Sequence, residues 1–227
     1  MPAISVFVTG GTGYIGRPLI DALHERGHLI RALVRPGSET KLSGRAVPVV
    51  GNALDASTFA SAIPDVATVV HLVGTPHPSP SKAAEFERVD LASIRATTAA
   101  ARQAGARHLI YVSVAQPAPV MRAYLAARAQ GESLVKASGI PATILRPWYV
   151  LGPGHRWPYF LVPVYAALRM LPATRSGAER LGLVTLPMMI AALTQAVETP
   201  PASGVHIVEV PDIRSAGRVE RTAACNA

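Results

Sequence analysis

The sequence predicts an α/β fold in which a parallel sheet is covered by helices on both faces. Over the first two thirds of the chain, short β-branched and apolar runs alternate with helical stretches, which is the pattern of repeated strand–helix–strand units. Several runs are apolar almost throughout, as strands buried on both faces should be. A chain of 227 residues with 49% hydrophobic residues can bury a proper core and suits one domain with a small appended lobe.

Each predicted element has a local reason. Six strands are expected from the apolar runs at residues 4–9, 29–34, 46–50, 68–73, 109–113 and 142–146. Ile15, Leu19 and Leu23 share one face of a first helix, which ends at a Gly27 cap. A second helix is expected after Asp55 and Ser57, a third at 83–104, a fourth at about 121–137, and a buried fifth that starts at Pro187 after a strand.

The texture of the chain changes after Arg146. Prolines and glycines interrupt the next fifteen or so residues, where aromatic residues cluster at Trp148, Tyr149, Trp157, Tyr159 and Phe160. We therefore expect a nucleotide-binding domain at residues 1–147 and a small substrate lobe or lid at 148–214, interleaved with the sheet. His155, Trp157 and Tyr159 could touch a substrate or serve packing alone. Residues 215–227 are polar and aperiodic, which predicts a flexible tail.

Composition excludes several classes of site. A single cysteine, Cys225, rules out an internal disulfide framework and a cysteine-based metal site, and the histidines lack metal spacing, so no metal is expected. The net charge of +8 comes from scattered arginines without a nucleic-acid-binding motif, so no nucleic acid is expected and the basic surface suits a polyanionic cofactor. No uncharged stretch reaches the ~20 apolar residues of a membrane span. The N-terminus carries no signal-like pattern, so a cytoplasmic protein is expected.

A glycine-rich loop separates the first strand from the first helix. It reads Thr9-Gly10-Gly11-Thr12-Gly13-Tyr14-Ile15-Gly16. The first spaced glycine, Gly10, permits a tight turn; Gly13 lets the backbone approach a pyrophosphate; Gly16 lets helix and strand pack closely. The free amides and positive end of the helix would face the phosphates. In this position the loop predicts a Rossmann-type doubly wound sheet that binds a dinucleotide through Gly10, Thr12, Gly13, Tyr14, Ile15 and Gly16.

The end of the second strand indicates which dinucleotide is bound. An acidic residue usually stands there to bind an unmodified ribose, but this chain has Arg35 and no Asp or Glu until Glu39. An arginine at this position accommodates a 2′-phosphate. NADP is therefore favoured and NAD remains possible, since Arg35 could also be a solvated residue at a strand end.

Four motifs together resemble the short-chain dehydrogenase/reductase superfamily, over roughly residues 4–210. They are the glycine loop, the Gly51-Asn52-Ala53-Leu54-Asp55 turn, Ile110-Tyr111-Val112-Ser113, and the stretch from Tyr124 to Pro147. The chain is most similar to the atypical branch of NAD(P)H-binding proteins, which includes NmrA-like regulators and the dehydrogenase-like accessory subunit of respiratory complex I. The resemblance implies that Asn52 and Ala53 contact the adenine. It also implies that Leu72, Val73 and Gly74 line the nicotinamide half, and that Arg128 and Pro147 belong to the cofactor site.

The resemblance also implies a catalytic set. A tyrosine acts as general acid or base, a lysine four residues later holds the ribose and lowers the tyrosine pKa, and a serine polarises the substrate carbonyl. Tyr124 matches the tyrosine, Arg128 stands at the lysine position, and Ser113 is the candidate serine, although Val114 and Ala115 occupy the positions where the family usually places that hydroxyl. Arginine keeps the charge but not the geometry of an ammonium.

Two functions stay open from the sequence. One is an NADP-dependent oxidoreductase acting on a small carbonyl, quinone or sugar-derived substrate, with Tyr124 as proton donor. The other is a non-catalytic NAD(P)H-binding redox sensor or scaffold protein, in which Tyr124 is only a helix residue near the cofactor. Glu132 is expected to be a surface or capping carboxylate and His71 a satisfied core residue. Either a monomer or a homodimer is compatible with the sequence.

Overall fold

A seven-stranded parallel sheet forms the centre of the molecule. The computed structural model describes residues 2–118, 120–153, 177 and 180–225, with side chains up to residue 218. The strands of the sheet are β1 (Ser5–Thr9), β2 (Leu29–Val34), β3 (Val47–Val50), β4 (Thr68–His71), β5 (His108–Val112), β6 (Ala142–Leu145) and β9 (Val205–Val208). The sheet order is β3-β2-β1-β4-β5-β6-β9, and every paired neighbour is parallel. The six predicted strands are confirmed within two residues at each end.

Helices connect the strands. They are α1 (Gly16–Glu25), α2 (Ala83–Glu85), a π-helical segment (Phe86–Leu91), α3 (Ala92–Gln103), α4 (Arg122–Ala137), α5 (Leu186–Glu198) and α6 (Val210–Cys225). The cap predicted after the first helix is present, since Gly27 has a φ of +80°. Pro187 lies in the first turn of α5, and the Thr185 hydroxyl caps that helix by accepting a bond from the Met188 amide.

The two faces of the sheet carry separate cores. Along β1, Val6 and Val8 pack into a cluster with residues of α1 and α5, whereas Phe7 packs into a second cluster with α3. This alternation follows from the two-residue period of a strand. Because each cluster joins strand residues to residues of helices, helices cover both faces of the sheet and the doubly wound architecture is confirmed.

The position of a ligand crevice follows from the strand order. β1 pairs with β2 on one side and with β4 on the other, so the chain reverses its direction of travel across the sheet between β1 and β4. In open α/β sheets, ligands bind beyond the carboxyl ends of the strands at such a switch point. The glycine loop that follows β1 therefore lies where a cofactor is expected.

The helix predicted at 83–104 is confirmed at residues 83–103 and contains the π-helical segment. Two other local predictions were wrong. The helix expected after Asp55 and Ser57 is two short 3₁₀ turns, Ala56–Thr58 and Ala60–Ala62, because the Asp55 side chain caps the first turn and Phe59 turns inward. Residues 215–225 are not a loose tail but continue α6: Val210 and Ile213 are buried, and a Cβ on Gly217 would lie 2.6 Å from Met188 Cγ of α5.

The predicted lobe is described only in part. β7 (Tyr149–Leu151) and β8 (Leu183–Thr185) form a separate two-stranded parallel sheet. His155, Trp157 and Tyr159 lie outside the described residues. Within the described ranges, no helix has the length and apolar character required to cross a bilayer. No group of three or more candidate metal ligands occurs in that same part of the chain.

Candidate functional site

The glycine loop is built by close approaches of its own backbone. Gly10 has a φ of +79° and would place a Cβ 2.9 Å from the Leu72 carbonyl carbon, so the loop packs directly on the chain that leaves β4. A Cβ on Gly16 would collide with the Gly10 oxygen. Gly13 is exposed, and its Cβ would meet only the Gly10 oxygen, at 3.1 Å. Gly10 therefore permits the turn, Gly16 permits the close contact with the helix, and Gly13 leaves an open surface.

The first turn of α1 has neither a side-chain cap nor an acidic side chain. Uncapped amides and the helix dipole favour an external negative group at such an end. Together with the exposed Gly13, these residues fit the pyrophosphate of a dinucleotide.

Other predicted loop residues have distinct positions. Thr12 is half-buried. Ile15 packs against the core cluster beside α1. The Tyr14 hydroxyl lies against Gly152, just after β7, where any Cβ would collide with it. Tyr14 thus links the phosphate loop to the start of the predicted lobe.

The residues expected on the adenosine side lie at the ends of β2 and β3. Arg35 directly follows β2 and is exposed. Asn52 is exposed beyond β3, and its side-chain oxygen accepts a bond from the Leu54 amide at 3.0 Å. Ala53 beside it is half-buried. Since β2 pairs in parallel with β1, and β3 with β2, all three residues lie at the same edge of the sheet as the glycine loop.

The residues expected on the nicotinamide side follow β4 and β6. Leu72, Val73 and Gly74 are half-buried beyond β4. Pro147 is buried beyond β6, and its carbonyl accepts a bond from the Ala115 amide at 2.9 Å. This bond ties the loops that leave β5 and β6 to each other.

The helix α4 carries Tyr124 and Arg128 one turn apart, on the side that faces the sheet. The ring of Tyr124 packs on Phe86, with 5.0 Å between ring centroids. The guanidinium carbon of Arg128 lies 5.1 Å from the Tyr124 ring centre and 5.8 Å from that of Tyr111, within the range of cation–π attraction. Arg128 Nη1 donates to the Val112 carbonyl at 2.9 Å.

Asp90 is the counter-ion of Arg128, and the sequence analysis missed it. Its Oδ1 lies 2.7 Å from Nη2 of Arg128, and both side chains are buried. Its Oδ2 accepts from the amide and the hydroxyl of Thr75, at 3.0 and 2.6 Å. Burial alone would lower the pKa of Arg128. The neighbouring Tyr124, Tyr111 and Asp90 outweigh burial and raise the pKa, so the group stays charged. The only signal in the sequence was an acid within an alanine-rich helix.

Glu132 forms a second polar cluster, one turn further along α4 from Arg128. It is buried instead of exposed, contrary to the prediction. Its carboxylate accepts bonds from Ser113 at 2.7 Å, from Gln116 at 2.8 Å and from Arg146 at 2.9 and 2.6 Å. Burial opposes ionisation of Glu132, but the bonds from Arg146, Ser113 and Gln116 outweigh it and lower the pKa. The spacing of four residues from Arg128 could have placed it on the sheet-facing side.

The Ser113 hydroxyl is engaged by Glu132 in this arrangement. Its hydroxyl hydrogen is donated to Glu132, and its side chain is buried. A hydroxyl has one hydrogen to donate, so here Ser113 could only accept a bond from a substrate. Val114 and Ala115, the next two residues, are also buried and offer no hydroxyl.

His71 is a satisfied core residue, as predicted. The hydroxyls of Thr9 and Thr97 lie 2.9 Å from its Nδ1, and that of Ser93 lies 3.3 Å from its Nε2. Burial and the charge of Arg128 lower the pKa of His71 to about 3. A neutral, enclosed imidazole of this kind is not poised as a base near neutral pH.

Known proteins share both the motifs and the fold. Residues 10–156 match a family described as NAD(P)H-binding. The chain is 31% identical to a ceramide reductase from Caulobacter vibrioides, over 93% of this chain and 66% of the relative. It is 30% identical to a 3-diazoavenalumate denitrifying reductase from a Streptomyces species, over 90% and 75% of the two chains.

A solved structure agrees at the level of the fold. A short-chain dehydrogenase/reductase superfamily protein from Agrobacterium tumefaciens with bound NAD superposes with a TM-score of 0.65 at 21% identity, over 89% of this chain and 76% of that one. Residues 10–156, which match the family, hold Gly10, Gly13 and Gly16 of the glycine loop, both polar clusters and α4. The chain therefore belongs to the NAD(P)H-binding family.

Proposed function

We propose that the protein is an NADP(H)-dependent oxidoreductase that interconverts a carbonyl and an alcohol, or the equivalent pair in a quinone or sugar-derived substrate. One observation carries the proposal: Tyr124 lies over the charged Arg128 on α4, and the guanidinium of Arg128 lies against Gly74 at the end of β4. The glycine loop contacts the same chain segment at Leu72. The proposed proton donor and fixed positive charge thus lie near the chain segment that the proposed dinucleotide loop contacts.

The side chains divide the chemistry between them. When bound, the nicotinamide supplies or accepts a hydride. Tyr124 holds the proton that the substrate oxygen takes up during reduction, and receives it back during oxidation. Arg128 stays charged beside the phenol, and the N–H groups of its guanidinium that do not face Val112 and Asp90 are the donors proposed for a ribose hydroxyl. Because the Ser113 hydrogen is engaged by Glu132, Ser113 enters the proposal only as an acceptor.

Cofactor choice is assigned to Arg35. Its exposed guanidinium at the end of β2 would form a charge-assisted contact with a 2′-phosphate. NADP is therefore the proposed cofactor, with NAD as the weaker alternative. Asn52 and Ala53 are proposed to contact the adenine at the same edge of the sheet.

The direction of the reaction is proposed from the relatives, and the cellular compartment from the cysteine content. The two relatives are named reductases, which favours reduction of a small carbonyl substrate. The chain spans only 66% of the first of them, so the substrate itself stays open. A single cysteine needs no oxidising compartment, in keeping with a cytoplasmic monomer or homodimer.

A second function has an observation in its favour. Two nitrogens of Arg128 and the hydroxyl of Ser113 are already bound within the protein. Such a closed arrangement would suit a redox sensor or scaffold protein that binds NADP(H) without turnover.

The test is NADPH oxidation against a panel of quinones, aldehydes and ketones, with wild type and Tyr124→Phe. This substitution removes only the hydroxyl, so NADPH affinity should hold while turnover falls by ~10²–10⁴. Phe86→Leu is a matched control, because it alters the packing on Tyr124 without removing a proton donor.

The two functions predict different results. If Tyr124→Phe turns over every substrate as fast as wild type does, Tyr124 is not the proton donor. If wild type binds NADPH tightly in calorimetry but reduces nothing in the panel, the sensor or scaffold function is the better account.

A further inference from the structure

Arg128 is held by a fixed set of neighbours. Asp90 lies on the π-helical segment, Val112 ends β5, and each engages a different nitrogen of the guanidinium. The planar fork of an arginine can bind two acceptors at once, whereas a lysine ammonium is a single point of charge on a shorter reach. The protein around Arg128 is therefore shaped for arginine.

Gly74 provides the space that this arginine needs. A Cβ on Gly74 would collide with Nη2 of Arg128 and would lie 3.2 Å from Asp90 Oδ1. The ion pair therefore rests on the bare backbone at the point where the chain leaves β4. Any side chain there would have to displace the guanidinium.

Asp90 holds a second segment as well as Arg128. Its other carboxylate oxygen receives both bonds from Thr75, which directly follows Gly74. The same π-helical segment places Phe86 on the ring of Tyr124. Residues 86 and 90 thus contact residues 124 and 128 of α4, respectively, and fix them relative to the β4 end.

We infer that Asp90 is a positioning residue for the proposed reaction, and that Gly74, Asp90 and Arg128 form a matched set in which the arginine depends on the other two. This inference rests on the proposed function. It implies that arginine here is not a degraded lysine, and that Arg128→Lys alone will not improve the enzyme. Asp90 acts through Arg128 and the Gly74–Thr75 backbone, without touching the substrate.

The set can be tested by three single substitutions that change one property each. Asp90→Asn removes the negative charge, and Arg128→Lys removes the planar guanidinium that binds two acceptors. Gly74→Ala fills the space that the guanidinium occupies beside Gly74. We expect each to lower kcat by about 10- to 100-fold, because a small misplacement of a reacting group has effects of this size. The affinity for 2′,5′-ADP, which occupies only the adenosine side, should stay within about twofold of wild type. Gly44→Ala is the control, since a Cβ there meets nothing within 4 Å.

Coupling between Asp90 and Arg128 is measured by a double-mutant cycle of Asp90→Asn and Arg128→Gln. If the residues act as one unit, the double variant should have the melting temperature and NADPH affinity of the worse single variant. Additive losses in both quantities would overturn the inference. So would an Asp90→Asn variant whose kcat and NADPH affinity equal those of wild type.

The outcomes separate this inference from the proposed function. If wild type shows no turnover, the proposed oxidoreductase fails, while coupling in the melting temperature still decides whether the set exists. If Asp90→Asn does not fold, Gly74→Ala replaces it in the cycle with Arg128→Gln, because it displaces the same guanidinium without removing a charge. Independence of Gly74→Ala and Arg128→Gln would then overturn the inference.

Discussion

The two halves of the candidate site are built by different means. The pyrophosphate half is backbone: three glycines and an uncapped helix end, all within residues 10–16. The proposed nicotinamide half is a set of charged side chains from three places in the fold: Asp90 from the π-helical segment, Arg128 and Glu132 from α4, and Arg146 from the end of β6. A side chain at Gly10 or Gly16 would collide with backbone atoms. Among the charged side chains, removal of one partner would leave a buried charge unpaired. We therefore expect pyrophosphate binding to depend on the backbone of the glycine loop, and the chemical step to depend on the charged side chains.

Gly13→Val should have the largest effect on the backbone half. The side chain would occupy the exposed surface left for the pyrophosphate, so the thermal shift caused by NADPH should disappear while most of the fold remains. Melting with and without NADPH measures this. Gly16→Ala is the contrasting variant: its Cβ collides with backbone, so unfolding should become easier by about 1–3 kcal/mol even without cofactor. A Gly13→Val protein that NADPH stabilises as well as wild type would show that the loop was misassigned.

Glu132→Gln should be the most damaging isosteric change in the side-chain half. It removes the main partner of Arg146, although Glu209 still lies 2.9 Å from Nη1. Breaking a buried pair from one side costs about 3–5 kcal/mol, and we expect the low end because of Glu209. Urea unfolding measures the change. Ser133→Ala, one residue along on the exposed side, is the control, and equal stability of the two variants would argue against a structural role for Glu132.

The same carboxylate should make the stability of the protein sensitive to acid. The pKa of Glu132 is lowered in the folded protein, so its stabilising effect is complete above the unfolded value near 4.5 and is lost as the pH falls through the folded value. Wild type should therefore lose more unfolding free energy below pH 4.5 than Glu132→Gln does. Urea titrations from pH 7 to pH 3 test this, and parallel curves for the two proteins would count against it.

Arg35→Ala should have the smallest effect, confined to the adenosine edge. Loss of one charge-assisted contact should weaken NADPH binding about tenfold, or ~1.4 kcal/mol, and leave NADH binding unchanged. Titration calorimetry with both cofactors measures the difference. Arg31→Ala is a control on the same strand, since its side chain is bound to the Ala62 carbonyl. If wild type binds both cofactors equally, Arg35 does not select NADP.

Features that depend on residues close together in the sequence were mostly predicted correctly. The strands followed from apolar runs and the glycine loop from its spacing. Arg35 was identified as a candidate because the end of the second strand lacks an acid. His71 was expected in the core and is there, enclosed by hydroxyl groups. These features depend on neighbours within a few residues, so local chemistry is enough to anticipate them.

Failures of prediction have two physical causes. Residues 215–225 are polar and aperiodic in the sequence, so the buried positions of this helix at Val210, Ile213 and Gly217 were overlooked. Glu132 was expected to face solvent because carboxylates usually do. It is buried because Arg146, 14 residues away, and Ser113, 19 residues away, both donate to it.

By itself, the sequence determined the parallel sheet and the glycine-rich loop after the first strand, since these are encoded by hydrophobic period and glycine spacing. Only the tertiary structure decided which charges are paired. Ion pairing between residues 90 and 128, or 132 and 146, depends on which helices and strands lie side by side, and that packing is not readable from spacing along the chain. The physical reason is that a buried charge is stable only beside a partner, and that partner can come from any element the fold brings near.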